Sequence, residues 1–267
     1  MDFKRSWNLL KIYDLMIIAL LILAAWNIQK FGISVIAQII SLVLAAILFD
    51  FVISYVKEKR QADERAKRVI HNFSKSALIT GLILGMIIEG SILFLILVAA
   101  IAILSKHIIR IKGRHIFNPA NFAFFVALFL PVSQSWWGTG NLVLVGLLGL
   151  VVVFKLKRFH LAVPFLVVHA AIMLVIFSFD TNQLLSHIAS GAFVFFAFYM
   201  LVEPVTSPVS TKGRLVFGVL AGIFAALFYV VWLPAMLVGS LFFADLLVPF
   251  INRLSMPRAR HPDSAVL

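Results

Sequence analysis

The chain reads as an all-α integral membrane protein, with about ten transmembrane helices in two inverted five-helix repeats of transporter-like build. Three observations carry that reading. Hydrophobic residues make up 63% of the 267 and charged residues 13%, with a mean hydropathy of +1.07, whereas a soluble domain is about half apolar. The apolar residues fall in long runs separated by short polar links. Two polar, helix-breaking stretches, 112–121 (Lys-Gly-Arg-His-Ile-Phe-Asn-Pro-Ala-Asn) and 203–214 (Glu-Pro-Val-Thr-Ser-Pro-Val-Ser-Thr-Lys-Gly-Arg), interrupt those runs.

The runs predict spans near 13–29, 33–56, 76–88, 91–109, 121–137, 142–154, 161–179, 184–202, 215–231 and 236–251. A helical span needs about 20 apolar residues, so this count fills the chain and leaves a single polytopic domain over 1–267 with no sizeable soluble module. Lys4, Arg5 and Lys11 ahead of the first run resemble a signal-peptide start, but no small-residue cleavage site follows, so that run is expected to be retained as the first span.

Charge fixes the expected orientation. The net charge is +12, yet the basic residues sit in short links flanking apolar runs, a topology signal and not a nucleic-acid footprint. With ten spans and a cytoplasmic N-terminus, every lysine and arginine except Lys30 falls on the cytoplasmic side. A multi-pass protein of the cell membrane with both termini cytoplasmic is the expectation. The charged cytoplasmic loop 57–75 reads as a solvated helical extension of the second span, and 254–267 as a short tail.

An internal echo supports two repeats, about 11–137 and 140–253. Ser76 and Gly81 open a short run that ends at Glu89, as Ser190 and Gly191 lie in one that ends at Glu203. Phe117-Asn-Pro-Ala120 and Trp232-Leu-Pro-Ala235 each precede a span at nearly the same separation. Five spans per half force the second half to enter from the opposite side, and short or broken helices at matching positions then meet at a binding site.

The two interrupting stretches are therefore the candidate site. Unpaired backbone at membrane depth persists only where protein or a water-filled cavity satisfies it. Pro119 and Pro204 each remove a backbone donor. Asn118, Asn121, Thr206 and Ser207 supply polar groups, and Gly113 and Gly213 allow close backbone approach. Lys112, Arg114, Lys212 and Arg214 have the chemistry to pair a phosphate. Asp245, inside the last span, and Glu203 are expected on an ion pathway, since a carboxylate can hold Na+ or pass a proton. His169 and His187 each read as a structural residue in a hydrogen-bonded helix–helix contact. Without cysteine there is no disulfide or iron–sulfur cluster, and no metal-ligand spacing or nucleophile triad is evident.

Four segments occur in a distinctive order: Ser76-Ala-Leu-Ile-Thr-Gly-Leu-Ile-Leu84, Phe117-Asn-Pro-Ala120, Glu203-Pro-Val-Thr206 and Lys212-Gly-Arg-Leu-Val-Phe-Gly218. In this the chain resembles the D subunit of the Rnf complex and the B subunit of the Na+-translocating NADH:quinone oxidoreductase. The resemblance implies ten spans from two inverted halves, and flavin-based electron transfer coupled to Na+ or H+ movement. Larger members of the family attach FMN to a Thr in a Ser-x-Ala-Thr motif, within an insertion between the fifth and sixth spans. Here that link is only Gln-Ser-Trp-Trp-Gly-Thr-Gly-Asn (134–141), so covalent FMN is not expected. Glu203 stands where the family usually has Asp.

The expected function is a non-autonomous membrane component of a flavin-dependent electron-transport system, similar to the Rnf protein just named and holding a flavin, FMN first, non-covalently between the two stretches. Arg114, Lys212 and Arg214 would hold a phosphate; Asn118, Asn121 and Thr206 would orient the ring. The partners expected are membrane lipid, other electron-transport subunits and a cytoplasmic flavin or nicotinamide reductase, because the chain has no nicotinamide-binding domain. The rival reading is a small-solute or ion transporter or channel on the same fold.

Overall fold

A computed structural model describes residues 11–60, 65–111 and 113–255, with side chains over 11–57, 75–111 and 113–255. Residues 1–10 and 61–64, Lys112, the side chains of 58–74 and the tail beyond Ser255 lie outside the described residues.

The helices are α1 (Ile12–Phe31), α2 (Ser34–Arg60), α3 (Arg65–Ile87) and α4 (Ile92–Ile108), then the short α5 (Pro119–Ala127). They are followed by α6 (Leu142–Leu156), α7 (Phe159–Ile176), α8 (Thr181–Ile188), α9 (Gly191–Phe195), α10 (Thr211–Val231) and α11 (Met236–Ser255). Their ends follow local chemistry. Asn118, Asn141, Asp180, Ser190 and Ser210 each accept a backbone N–H of the turn they cap, satisfying donors that a helix start leaves free.

Among the described residues five helices are long and apolar enough to cross a membrane, and α8 with α9 and its continuation to Met200 makes a sixth candidate bent by 56°. Lys75–Ile87, Ile92–Ile108 and Leu142–Leu156 are shorter apolar helices. Large side chains such as Leu48, Phe51, Leu147, Phe154, Val167 and Val230 point outward, which suits lipid and not water. This is a membrane protein of mostly helical build.

Three sequence expectations are corrected. The chain is not purely helical, since β1 (Ile88–Gly90) pairs antiparallel with β4 (Val132–Gln134), and β2 (Arg110–Ile111) with β3 (Arg114–His115). The fifth run does not stay helical to 137: α5 stops at Ala127, and Pro131 and β4 follow. The ladder of β1 with β4 gives the interrupted backbone partners where water is scarce. The eighth run is broken at Ser190, because Gly191 lies so close to the Thr139 carbonyl that a Cβ there would collide with it.

Hydrogen bonds sort the helix ends into two faces. On one, Lys75 of α3 meets Asp14 of α1, Lys106 of α4 meets Asp50 of α2, Arg158 ahead of α7 reaches Ser207, and Ser210 ahead of α10 bonds Ser255 of α11. On the other, Asn27 of α1 donates to Gly138, and Gln134 to Pro234. Lys75, Lys106 and Arg158 belong to the first face; Lys30, in the last turn of α1 beyond Asn27, belongs to the second.

The core runs between the faces. α2 packs on α3 and α4, α7 on α10, and α10 on α11, while α1 meets α6 and α5 meets α11 across the middle. The α7–α10 contact depends on Gly218 and Gly222, where a Cβ would fall against the Leu161 and Phe165 carbonyls. Small residues four apart let helix backbones approach this closely in lipid.

Candidate cofactor and ion site

The first interrupting stretch becomes the β2–β3 hairpin and the start of α5. Gly113 takes φ +81 in the turn, a conformation that costs other residues energy, and Arg110 holds the Gly113 carbonyl. Asn118, buried, is the organising residue. Its backbone N–H donates to Asp245 Oδ2 at 2.9 Å, its Nδ2 to the Met200 carbonyl at 3.2 Å, and its Oδ1 accepts Asn121 N–H at 3.1 Å. Pro119 sits at the first helical position, where its missing N–H costs nothing.

The second stretch wraps past this start. α9 runs on as a π turn, Phe196–Met200, and releases the chain at Glu203 and Pro204. Arg114 Nη2 donates to the Pro204 carbonyl at 3.2 Å, and His115 Nε2 lies 3.7 Å from Glu203 Oε1. Arg158 Nη1 donates to Ser207 Oγ at 2.9 Å, while Arg214 reaches the carbonyls of Pro208 and Val209 at 3.2 and 2.9 Å. Three arginines thus hang on one segment, 204–209.

Burial first, then the charges of Arg214 and Arg114, pull the Arg158 guanidinium down to about 10. It stays charged at neutral pH, in repulsion that a bound anion would relieve. Sequence reading misses Arg158: in the link after the sixth run it carries only a topology charge, and no local signal ties it to Ser207.

A cavity of about 50 Å³ opens beside the start of α5, with Tyr13, Ser76, Thr80, Asn118, Tyr199 and Glu203 in its wall. Of the predicted site residues, Asn118, Pro119, Glu203 and Pro204 line it. Arg114, Ser207 and Arg214 are not in the lining; Arg114 and Arg214, with Arg158, form an arginine rim around segment 204–209, whose Pro204 is in the wall. Thr206 is buried outside the lining, and Asn121 is buried with Nδ2 on the Val238 carbonyl at 2.9 Å. Lys212 is exposed on the first turn of α10. Gly213 is packed against Ser210 and Ser255, so its close approach is to protein. Lys112 lies outside the described residues.

The site holds several buried polar atoms without a partner: Asn121 Oδ1, Glu203 Oε2, His115 Nε2 and Asp245 Oδ1. Asp245 is fully buried, with one oxygen on Asn118 and the other vacant. A buried carboxylate with a vacant oxygen has the chemistry to hold a cation or a proton. Among the described residues no group of three or more metal-ligating side chains exists.

Fold and site together define a polytopic helical membrane protein with a polar site at the start of an interrupted helix. The profile of the NQR2, RnfD, RnfE family matches residues 3–140 and 127–260, and the chain belongs to that family. It is similar to proteins named as the D subunit of an ion-translocating oxidoreductase complex. The one from Citrobacter koseri is 34% identical over 114 residues, 39% of this chain and 31% of that protein. The one from Escherichia fergusonii is 29% identical over 161 residues, 55% and 42%, and that from Actinobacillus pleuropneumoniae 30% over 135 residues, 47% and 37%. The matched stretches thus cover well under half the length of these relatives.

Proposed function

We propose that this chain is the membrane subunit of an ion-translocating, flavin-dependent electron-transport system, working with other subunits or a cytoplasmic reductase that delivers electrons. The observation that carries the reading is the meeting of the two interrupting stretches at Asn118, Asp245 and Glu203, in a chain of this family. Its relatives' names supply the reaction class.

The same proposal includes ten crossings in two inverted halves, with both termini cytoplasmic in the cell membrane. The five long helices, the bent α8–α9 pair, the three shorter helices and α5 make ten. The pairings α4–α5 and α10–α11 correspond, as do Pro119 at the start of α5 and Pro234 in the 3-10 turn just ahead of α11. The basic face would be the cytoplasmic one.

Tested against a flavin, the residues fit in kind. The arginine rim suits a phosphate, and the cavity offers tyrosine rings, the Thr80 hydroxyl and the Glu203 carboxylate to a ring edge. The enclosed volume is well below the roughly 300 Å³ of an ordinary ligand pocket, so a ring would seat at the mouth, between α1 and 203–204. Flavin, when bound, supplies the redox chemistry; the chain's own work is to hold it, exclude water and keep Asp245 and Glu203 beside it for the ion. Asn118 stands in the wall with its amide on the Met200 carbonyl, Asn121 turns its amide to Val238, and Thr206 is buried outside the lining. Covalent FMN is not part of the proposal.

The test is the visible spectrum of the full chain in mild detergent, before and after acid denaturation. Flavin bands that leave with the supernatant, and weaken in Arg114→Ala and Arg214→Ala, support the reading. A protein that stays colourless after incubation with FMN, FAD and riboflavin overturns it.

A further inference from the structure

Outside that site, one buried cluster of titratable groups has no role in it. His169 lies in α7 and is fully buried; His187 lies near the end of α8, just ahead of the break at Ser190. Their Nε2 atoms face one another at 2.9 Å. Two ring nitrogens approach that closely when one carries a hydrogen and the other accepts it.

The surroundings are aromatic. Phe165 and Phe193 stand 5.9 and 5.0 Å from the His169 ring, and Phe177 and Tyr229 stand 5.6 and 5.1 Å from His187. Tyr229, from α10, is a further titratable group facing the pair, and α9 contributes the Phe193 ring. Among the described residues no carboxylate pairs with either imidazole. His169 Nδ1 lies beside the Gly222 carbonyl, short of hydrogen-bond geometry.

A mere strut between helices would be met by two amides. Two imidazoles can do more, because each has a second nitrogen: the pair can gain a proton without losing its bridge. Aromatic rings stabilise the resulting cation where no carboxylate does.

We infer that His169 and His187 form a proton-binding station inside the membrane, loaded through His187 from the face where α8 begins. His187 is the half-exposed partner, and Thr181, Asn182, Gln183 and Ser186 of α8 are exposed on its approach. In the neutral pair His187 Nε2 donates to His169 Nε2, and His169 carries its own hydrogen on Nδ1. A proton arriving at His187 Nδ1 makes an imidazolium. Transfer of the bridging proton to His169 Nε2 then moves the charge inward and leaves His187 neutral, with its hydrogen on Nδ1. Proton number and charge balance at each stage. This rests on the membrane reading of the chain, and not on a flavin.

The test is nitrogen NMR of the full chain, labelled with ¹⁵N-histidine, in lipid nanodiscs. A coupling across the Nε2–Nε2 bridge is expected, with a proton gain by the pair as pH falls from about 7 to about 4. In His187→Gln, checked for folding by its melting curve, the His169 resonance loses its pH response; Tyr229→Phe retains both signals. A pair that stays in one protonation state over that range overturns the proposal, as does an unchanged His169 titration in His187→Gln. Should His187→Gln fail to fold, the titration of the unsubstituted chain decides alone. Resonances that move with added Zn2+ and not with pH would make it a metal site instead.

Discussion

The Oδ2 atom of Asp245 accepts the backbone N–H of Asn118 at 2.9 Å, joining α11 to the first turn of α5. A half-helix that begins inside the protein needs acceptors for its free N–H groups and a negative charge near its positive end. Asp245 Oδ2 provides such an acceptor, so removing it has a structural consequence separate from any ion it holds. Asp245→Ala is expected to cost about 1–3 kcal/mol by leaving that donor buried and unpaired. Asp245→Asn, which keeps a carbonyl oxygen for Asn118, should cost less. Melting curves of the three proteins in one detergent decide it; equal losses would mean that the bond to Asn118 carries no weight.

Asp50 of α2 takes Lys106 Nζ at 3.0 Å and His107 Nε2 at 2.8 Å on the same oxygen, and Lys57 Nζ lies 3.3 Å from His107 Nδ1. Asp50 and Lys106 are each 2% exposed. Removing one partner of such a pair strands the other charge, at about 3–5 kcal/mol. Asp50→Leu and Lys106→Met should each lower the melting temperature strongly, and the double substitution by clearly less than their sum. Additive losses would show that the pair is uncoupled.

The α7–α10 contact offers a steric test. A methyl at Gly218 would meet the Leu161 carbonyl, whereas one at Gly146, in α6, meets nothing within 4 Å. Gly218→Ala is expected to destabilise by about 1–3 kcal/mol through overpacking. Gly146→Ala should be neutral or slightly stabilising, since alanine is the better helix former. Melting curves that fail to separate the two would mean that α7 and α10 do not touch there.

The arginine rim predicts a response to anions. Arg158, Arg114 and Arg214 repel one another, so inorganic phosphate or FMN should raise the melting temperature of the unsubstituted protein, with the rise weakened by salt. Arg158→Gln keeps a donor for Ser207 but removes a charge, and should shrink that rise while barely changing the melt without ligand. An undiminished rise in Arg158→Gln would place the anion elsewhere.

Much of this protein is legible in its sequence. Long apolar runs put most of the helices within a few residues of their observed places, except the third, which begins as early as Arg65, and the fifth, which stops at Ala127; the Asn-Pro step marks a helix start and the Glu-Pro step a helix end. Two of the marked residues behave differently from their reading. Asn121 turns its amide to Val238 of α11, and Gly213 makes room for Ser255, because polar and small residues in a membrane core serve helix contacts as readily as ligands. Arg158 escapes a reading along the chain because a topology charge and a site charge look identical there.

By itself, the sequence determined the membrane class, the positions of the apolar helices and the two stretches where helix cannot continue. These are local properties: lipid selects for run length and low charge, and a proline beside polar residues and glycine interrupts a helix or is confined to its start. Only the tertiary structure decided that Asp245 caps Asn118, that three arginines share one segment, that α8 breaks at Ser190 against Thr139, and that His169 meets His187. Each of these joins elements packed side by side but separated along the chain, and lipid, indifferent to which polar groups pair inside, leaves that choice to the shape and spacing of the packed helices.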